Sequence, residues 1–394
     1  MKNFLLLLLC ALTTGTMLRA QVPNPDYDTG IFYFDAEDYP QAILHFEAGL
    51  RQAPDSERIL FNLALAQYEL HRYAEMARTL RTLTALAPDD ADAWQLLGSA
   101  YDGMEAYFYA ADAFSQAYLL QPTANTQLLR GAVYVKAGEY DLAAADYTAV
   151  LEAYPDDALA HAGMGDVYLA TDQFASAIDA YDRAILLDPS DALTFHNRGL
   201  AKVEIGWHET ALYDFSSAIE LDPYVDAYYA NRALCRLEIQ DRYGADIDAR
   251  KARRYNPENA DAWFALGRIA TLNQDYYAAA DGFNMALEIQ QDEAEYYYER
   301  GKVYHAIEAF PGAVEDFRIA SSLDPELAEI DKWLARSESA QLYVAPTSRM
   351  SPEVLVEEPY TSEQAPTPAS RVPTAPAERT SEAIDGWMLQ PDEE

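Results

Sequence analysis

Two cysteines in 394 residues leave this chain without an internal disulfide framework. Cys10 lies in a stretch that reads as a secretory signal over residues 1–20: Lys2 gives a positive start, Leu5 to Leu9 with Cys10 to Leu12 form an apolar segment, and Leu18-Arg19-Ala20 resembles a cleavage site before Gln21. A rival reading makes Leu7-Leu8-Leu9-Cys10 a lipoprotein box. Leu9 stands where a small residue is expected and only nine residues precede the cysteine, which argues against it. With Cys10 removed, Cys235 is the lone thiol, either a reactive group or a small buried residue on a helix from Ala227 to Leu237.

Positive charge is also scarce. Against 65 Asp and Glu there are 28 Lys and Arg, a formal net charge of −37, which becomes −39 once Lys2 and Arg19 leave with the signal. The basic stripe that phosphates require is missing, so neither nucleic acid nor an anionic membrane surface is an expected partner. Basic partners remain open, and an acidic balance also keeps a long helical protein soluble. The apolar segment near the start is too short to span a bilayer, and no transmembrane span is expected in the mature chain.

Catalytic constellations are missing too: no zinc-like spacing of Cys and His, no phosphate-cradling glycine loop and no nucleophile elbow. His45, His71, His161, His196, His208 and His305 are scattered, and no catalytic residue, metal or cofactor is expected.

What is present is a period. Prolines fall at 54, 88, 122, 155, 189, 223, 257 and 325, with Gln291 filling one gap, in steps of 34 and a single 33. Such a period marks stacked helix pairs. One unit carries Tyr107, Ala110, Phe114, Ala117 and Pro122 in the order that another repeats as Phe310, Ala313, Phe317, Ala320 and Pro325. Earlier in many of the units a small residue precedes an aromatic by three, as in Gly98 and Tyr101, Gly131 and Tyr134, Gly165 and Tyr168, and Gly301 and Tyr304. Small residues let two antiparallel helices approach, and proline stops the second.

Trp94, Leu97, Gly98, Tyr101, Ala110, Phe114, Ala117 and Pro122 resemble the tetratricopeptide repeat pattern almost fully, and Trp263, Leu266, Gly267, Ala279, Phe283 and Ala286 repeat it. The resemblance covers residues 23–327 and implies an all-α, right-handed superhelical solenoid of nine helix-turn-helix repeats. Residues 328–343 alternate apolar and charged side chains, as a capping helix would. Two units depart from the pattern, with Ala64, Gln67, Met76 and Leu80 in one and Arg236 and Ala249 in another, and looser packing is expected there. Residues 344–394, rich in Pro and with ten acids against three arginines, read as a disordered tail.

Arginine takes the seventh place of the first helix in four units, as Arg130, Arg198, Arg232 and Arg300. Those units alone put aspartate sixteen residues later, as Asp146, Asp214, Asp248 and Asp316. The simplest cause is a partly buried ion pair across each hairpin.

The resemblance also implies a concave groove lined by the first helices. It would offer Tyr27, Phe34, Phe61, Asn62 and Tyr68 early in the array, and His196, Asn197, Asn231, Phe264, Arg268, Tyr298, Lys302 and His305 later. Arg268 and Lys302 suggest a site for a carboxylate or acidic peptide; the competing reading has Asn197 and Asn231 satisfying neighbouring helices and Arg268 paired with an adjacent acid. The chaperone-tail clamp of some family members is not matched by any consecutive trio of units. The expected function is a scaffold or adaptor for protein or peptide partners, exported to the periplasm or outer membrane of a Gram-negative bacterium. The alternative is an accessory subunit of an outer-membrane or secretion assembly that docks through its tail, which ends in an apolar cluster and acids from Gly386 to Glu394.

Overall fold

A computed structural model describes residues 24–343 except Ala328. The expectations for the signal and for the tail fall outside these residues. The described residues form nine antiparallel helix pairs and a last single helix. In chain order these are α1 Pro25–Asp35 with α2 Tyr39–Gln52, α3 Glu57–Glu69 with α4 Tyr73–Leu86, α5 Ala91–Asp102 with α6 Tyr107–Leu120, α7 Ala124–Lys136 with α8 Tyr140–Ala153, and α9 Ala158–Ala170 with α10 Phe174–Leu187. Then come α11 Ala192–Glu204 with α12 His208–Leu221, α13 Asp226–Glu238 with α14 Arg242–Tyr255, α15 Ala260–Leu272 with α16 Tyr276–Ile289, α17 Ala294–Ala306 with α18 Phe310–Leu323, and finally α19 Ile330–Tyr343. The fold is the right-handed solenoid of nine repeats with a C-terminal capping helix. Places below are counted from residues 23, 57, 91, 124, 158, 192, 226, 260 and 294, the starts of repeats 1 to 9.

Several first helices start on a side-chain cap. Asp90, Asp157 and Asn259 accept from the backbone N–H of Ala93, Ala160 and Ala262 at 2.7–3.0 Å. The turn proline has a second role, because its carbonyl accepts from the polar edge of a ring at place 4. Trp94 Nε1 donates to Pro88 O at 3.0 Å, Trp263 Nε1 to Pro257 O at 2.8 Å and the Tyr229 hydroxyl to Pro223 O at 3.1 Å. The turn inside each hairpin needs a left-handed residue at place 15. Glycine supplies it only at Gly138 and Gly206, whereas Glu37, His71, Glu105, Asp172, Gln240, Gln274 and Glu308 adopt φ of 55–65°.

Within a hairpin the ring at place 24 lies on the small residue at place 8. A Cβ on Gly98 would stand 2.7 Å from the Phe114 ring, and one on Gly165 would stand 2.4 Å from Tyr181. The two divergent repeats are closed by other means, contrary to the looser packing expected of them. Met76 and Leu80 are fully buried, and Gln67, where a ring is usual, accepts from the Thr79 hydroxyl at 2.9 Å. Ala249 is also fully buried, and Arg236 reaches Asp248 at 2.8 Å and the Gly244 carbonyl at 2.9 Å. Cys235 is buried, its thiol donating to His208 O at 3.2 Å, and burial pushes it up to about 12.

The four arginines of place 7 each meet their aspartate through two N–H groups. The distances are 2.8 and 2.6 Å for Arg130 on Asp146, 3.1 and 2.5 Å for Arg198 on Asp214, 2.7 and 2.8 Å for Arg232 on Asp248, and 2.9 and 2.7 Å for Arg300 on Asp316. The remaining Nη1 reaches back to the second helix of the preceding repeat, onto Ser115, Asp182, Ser216 or Asn284, at 2.6–3.2 Å. Each clasp therefore ties three helices. At the end of the array α19 covers repeat 9: Ile330 is buried, Trp333 stacks on Phe317 at 6.1 Å, and Arg318 pairs with Glu338 at 2.7 Å.

Asp146→Ala strands Arg130 in a largely buried place and should lower stability by about 3–5 kcal/mol in denaturant titration. Arg130→Met with Asp146→Leu, which leaves no lone charge, should recover most of that. Separately, Glu105→Gly and Glu308→Gly relieve an exposed left-handed residue and should each raise stability by about 1 kcal/mol, a gain that alanine at the same sites does not give.

Candidate peptide-binding face

Successive first helices touch one another along the array, while each second helix packs on the first helix of the next repeat. The first-helix side is therefore the inner curve, and its outward side chains form the candidate site.

The residues expected there divide by what covers them. Three are corrected outright, because their side chains lie beneath the surface. Tyr27 is 6% exposed, packs on Phe46, carries the Arg58 guanidinium 4.1 Å above its ring and accepts from Arg58 Nε at 2.6 Å. His196 is 7% exposed with Tyr228 of the next repeat 4.8 Å from its ring. Phe264 is 2% exposed with Tyr296 of the next repeat at 4.6 Å. In each case a side chain from the following first helix closes over the ring.

Of the early strip, Phe34, Phe61 and Tyr68 stay half-buried, Phe34 edge-on to Tyr39 and Tyr68 edge-on to Tyr73. Asn62 donates to the Tyr27 hydroxyl at 3.2 Å and to Arg58 O at 2.8 Å. His305 is engaged by the cap, bonded to the Ser337 hydroxyl at 2.9 Å and edge-on to Trp333.

The two cations are not bare, which corrects the expectation of a waiting carboxylate site. Arg268 Nη2 donates to Glu238 of the preceding repeat at 2.7 Å, the pairing with an adjacent acid that was the competing reading. Lys302 Nζ donates to Glu299 at 2.5 Å and lies 4.7 Å from the centre of the Tyr298 ring. Nearby, partial burial lifts the Glu295 carboxyl above the usual carboxylate range, with Arg268 opposing. Three carboxylates thus share the ground with two cations, and the local balance is negative. In the same way Lys136 is spent on Asp102, at 2.7 and 2.8 Å.

Asn197 and Asn231 join a polar chain that crosses repeats 5, 6 and 7. The Tyr181 hydroxyl and Asn197 Nδ2 both donate to Asp166 Oδ1, at 2.7 and 2.9 Å. Asn231 Nδ2 donates to His196 Nε2 at 2.9 Å, so His196 carries its proton on Nδ1 and donates it to Asn197 Oδ1 at 3.2 Å. Burial raises the Asp166 carboxyl, and the donors from Tyr181 and Asn197 oppose the rise. Burial also lowers His196 to about 4. The sequence reading missed Asp166 and Tyr181; the available signal was an aspartate at place 9, where most other repeats carry a small or apolar residue.

Among the described residues no group of three or more His, Cys, Asp or Glu is placed to hold a metal ion, and no helix is long and apolar enough to cross a membrane.

The comparisons agree with this architecture. A tetratricopeptide repeat profile matches residues 128–192 and 248–294, and a second profile of the same description matches residues 33–100. Over these residues the chain is built of tetratricopeptide repeats. A chain of the APC/C hetero-tetramer Cut9-Hcn1 superposes with a TM-score of 0.58 at 18% identity over 76% of this chain, which spans 59% of that one. A tetratricopeptide repeat protein from Parabacteroides merdae superposes with a TM-score of 0.55 at 16% identity, covering 62% of this chain and 97% of its own. These likenesses concern the fold. No curated protein matches the sequence.

His196 titrates well below a free histidine, so the unfolded chain binds the extra proton first. Its contribution to stability is present above pH 6.5 and is lost as pH falls towards 4, by roughly 3 kcal/mol at most. The stability gap between the native chain and His196→Gln should therefore narrow between pH 7 and 4.5 in denaturant titrations, with Asp166 acting equally on both.

Proposed function

We propose that this tetratricopeptide solenoid, a fold that serves protein–protein interaction, receives an extended basic segment of a partner protein along the inner face of repeats 5 to 9. The observation that carries this reading is the spent state of the inner cations: Arg268 and Lys302 already answer Glu238 and Glu299, while among the described residues Glu204 and Glu295 have no ion-pair partner within 4 Å. An acidic guest would have to break those pairs, whereas a basic guest meets a negative field on a chain of net charge −37. Exposed Leu159 and Leu193 on the same face, 63% and 52% accessible, supply apolar contact beside the charges. The features of residues 1–20 support export to the bacterial envelope, where a mature chain beginning at Gln21 would be found by N-terminal sequencing.

Affinity capture from the envelope fraction, with the full chain and with a chain ending at Tyr343, tests the reading. The expected partner is retained by both, carries a basic segment, and is released by Glu204→Lys with Glu295→Lys or by raising the salt from 0.1 to about 0.5 M. An acidic partner indifferent to those changes would overturn the proposal, and loss on truncation would move recognition to residues 344–394.

A further inference from the structure

A candidate second site lies between repeats 2 and 3, where a clasp is missing. Repeat 3 has Leu97 at place 7 and Ala113 at place 23, where repeats 4, 6, 7 and 9 have the arginine and the aspartate. Leu97 and Ala113 fill the clasp position itself, 3% and 2% exposed, and the space above them stays open. A cavity of about 300 Å³ opens between α4, α5 and α6, floored by Leu97 and Ala113 and walled by Trp94, Tyr101 and Tyr109.

Those walls are the ones that hold a guanidinium elsewhere. Arg300 lies 5.6 Å from the ring of Tyr297 at place 4 and 5.5 Å from that of Tyr304 at place 11. Arg232 and Arg198 lie 5.7 and 5.5 Å from the place 4 rings of Tyr229 and Phe195, and Arg130 lies 5.9 Å from Tyr134 at place 11. Trp94 and Tyr101 are the rings at places 4 and 11 of repeat 3, and Trp94 is pinned by its bond to Pro88 O. Repeat 3 therefore keeps the aromatic seat and lacks its cation.

We propose that this seat takes an arginine side chain from a partner polypeptide, supplying from outside what Arg130 supplies from within. A planar guanidinium suits two ring faces better than an ammonium does. Asp112, exposed on the rim and one residue before the place of the clasp aspartate, has no ion-pair partner within 4 Å among the described residues and offers the carboxylate. The field of the chain draws cations to it. Arg81 works the other way: it stands at place 25, where the four clasps have an acceptor in Ser115, Asp182, Ser216 or Asn284. Its exposed, flexible side chain can turn to solvent, and it sets the ceiling on affinity.

The test uses the full chain and the peptide acetyl-Gly-Gly-Arg-Gly-Gly-amide, following the indole N–H signal of Trp94 by NMR, assigned through Trp94→Phe. The arginine peptide should shift that signal and saturate, and its citrulline counterpart, neutral but of the same shape, should bind about tenfold more weakly. Asp112→Asn should weaken binding and Arg81→Ser should tighten it. Leu97→Arg with Ala113→Asp and Arg81→Ser should build a fifth internal clasp, abolishing the response while the melting temperature is kept or raised. Equal response to citrulline or phenylalanine peptides, a response undiminished in the triple variant, or no shift at all would overturn the proposal. The inner-face reading stands or falls separately, because none of these substitutions lies on that face.

Discussion

In seven of the nine hairpins the two helices can sit as close as they do only because a ring at place 24 rests on a glycine at place 8. Phe114 over Gly98 and Tyr181 over Gly165 fill the space that a single added carbon would take. This one contact fixes the separation of the hairpin and therefore where place 7 meets place 23, and it leaves each hairpin with an outer apolar surface that only the next hairpin can cover. Stacking follows from that unburied surface, and curvature follows from the unequal approach of first and second helices. The inner face is thus a consequence of core packing.

On this apolar frame the polar groups decide which joints are stiff. Clasps tie repeat 4 to 3, 6 to 5, 7 to 6 and 9 to 8, each by a guanidinium whose acceptors lie on two other helices. The joints of repeat 2 on 1, 3 on 2, 5 on 4 and 8 on 7 have no such tie. At the joint of repeat 5 on 4, Gly163 carries the Tyr147 ring against its backbone, and within repeat 7 Asn256 and Asn259 share Asp226 at 3.0 and 2.7 Å. A buried pair adds little net stability over apolar residues, but it penalises misregistered stacking severely, since any slip strands both charges. In an array of near-identical units, that penalty is a physical reason to keep four of them.

Much of this was legible in the residues. The proline ladder set the number and bounds of the hairpins, and the joint variation of places 7 and 23 exposed the clasps, because both partners change together inside one chain. The third partner was not legible: place 25 belongs to the preceding unit and uses Ser, Asp or Asn interchangeably, so no single residue type signals it. The inner face was read least well. Assigning Tyr27, His196 and Phe264 to it assumed that place 5 points to solvent, whereas Arg58, Tyr228 and Tyr296 of the following repeats fold over those rings. Whether a place is open depends on its neighbour in the stack, and periodicity within one unit does not contain that information. The substituted repeats show the same limit from the other side, for Gln67 with Thr79 and Arg236 with Asp248 replace apolar contacts by polar ones of equal closure.

Charge links the inner face to the cavity of repeat 3. Arginine and lysine are few here, and many of those described are consumed by contacts within the chain: four in the clasps, Lys202 and Arg236 on the clasp aspartates, Arg268, Lys302 and Lys136 on the inner face, Arg318 on the cap. Each internal pair removes one positive charge and one negative charge from what a partner encounters, so the outward field stays as negative as the total of −37 requires. A solenoid that spends its cations on its own helices can hold its shape with them and still present an acidic surface. Arginine is then a structural element inside the fold and, by the same chemistry, the side chain that a basic guest of the proposed kind would bring to both surfaces.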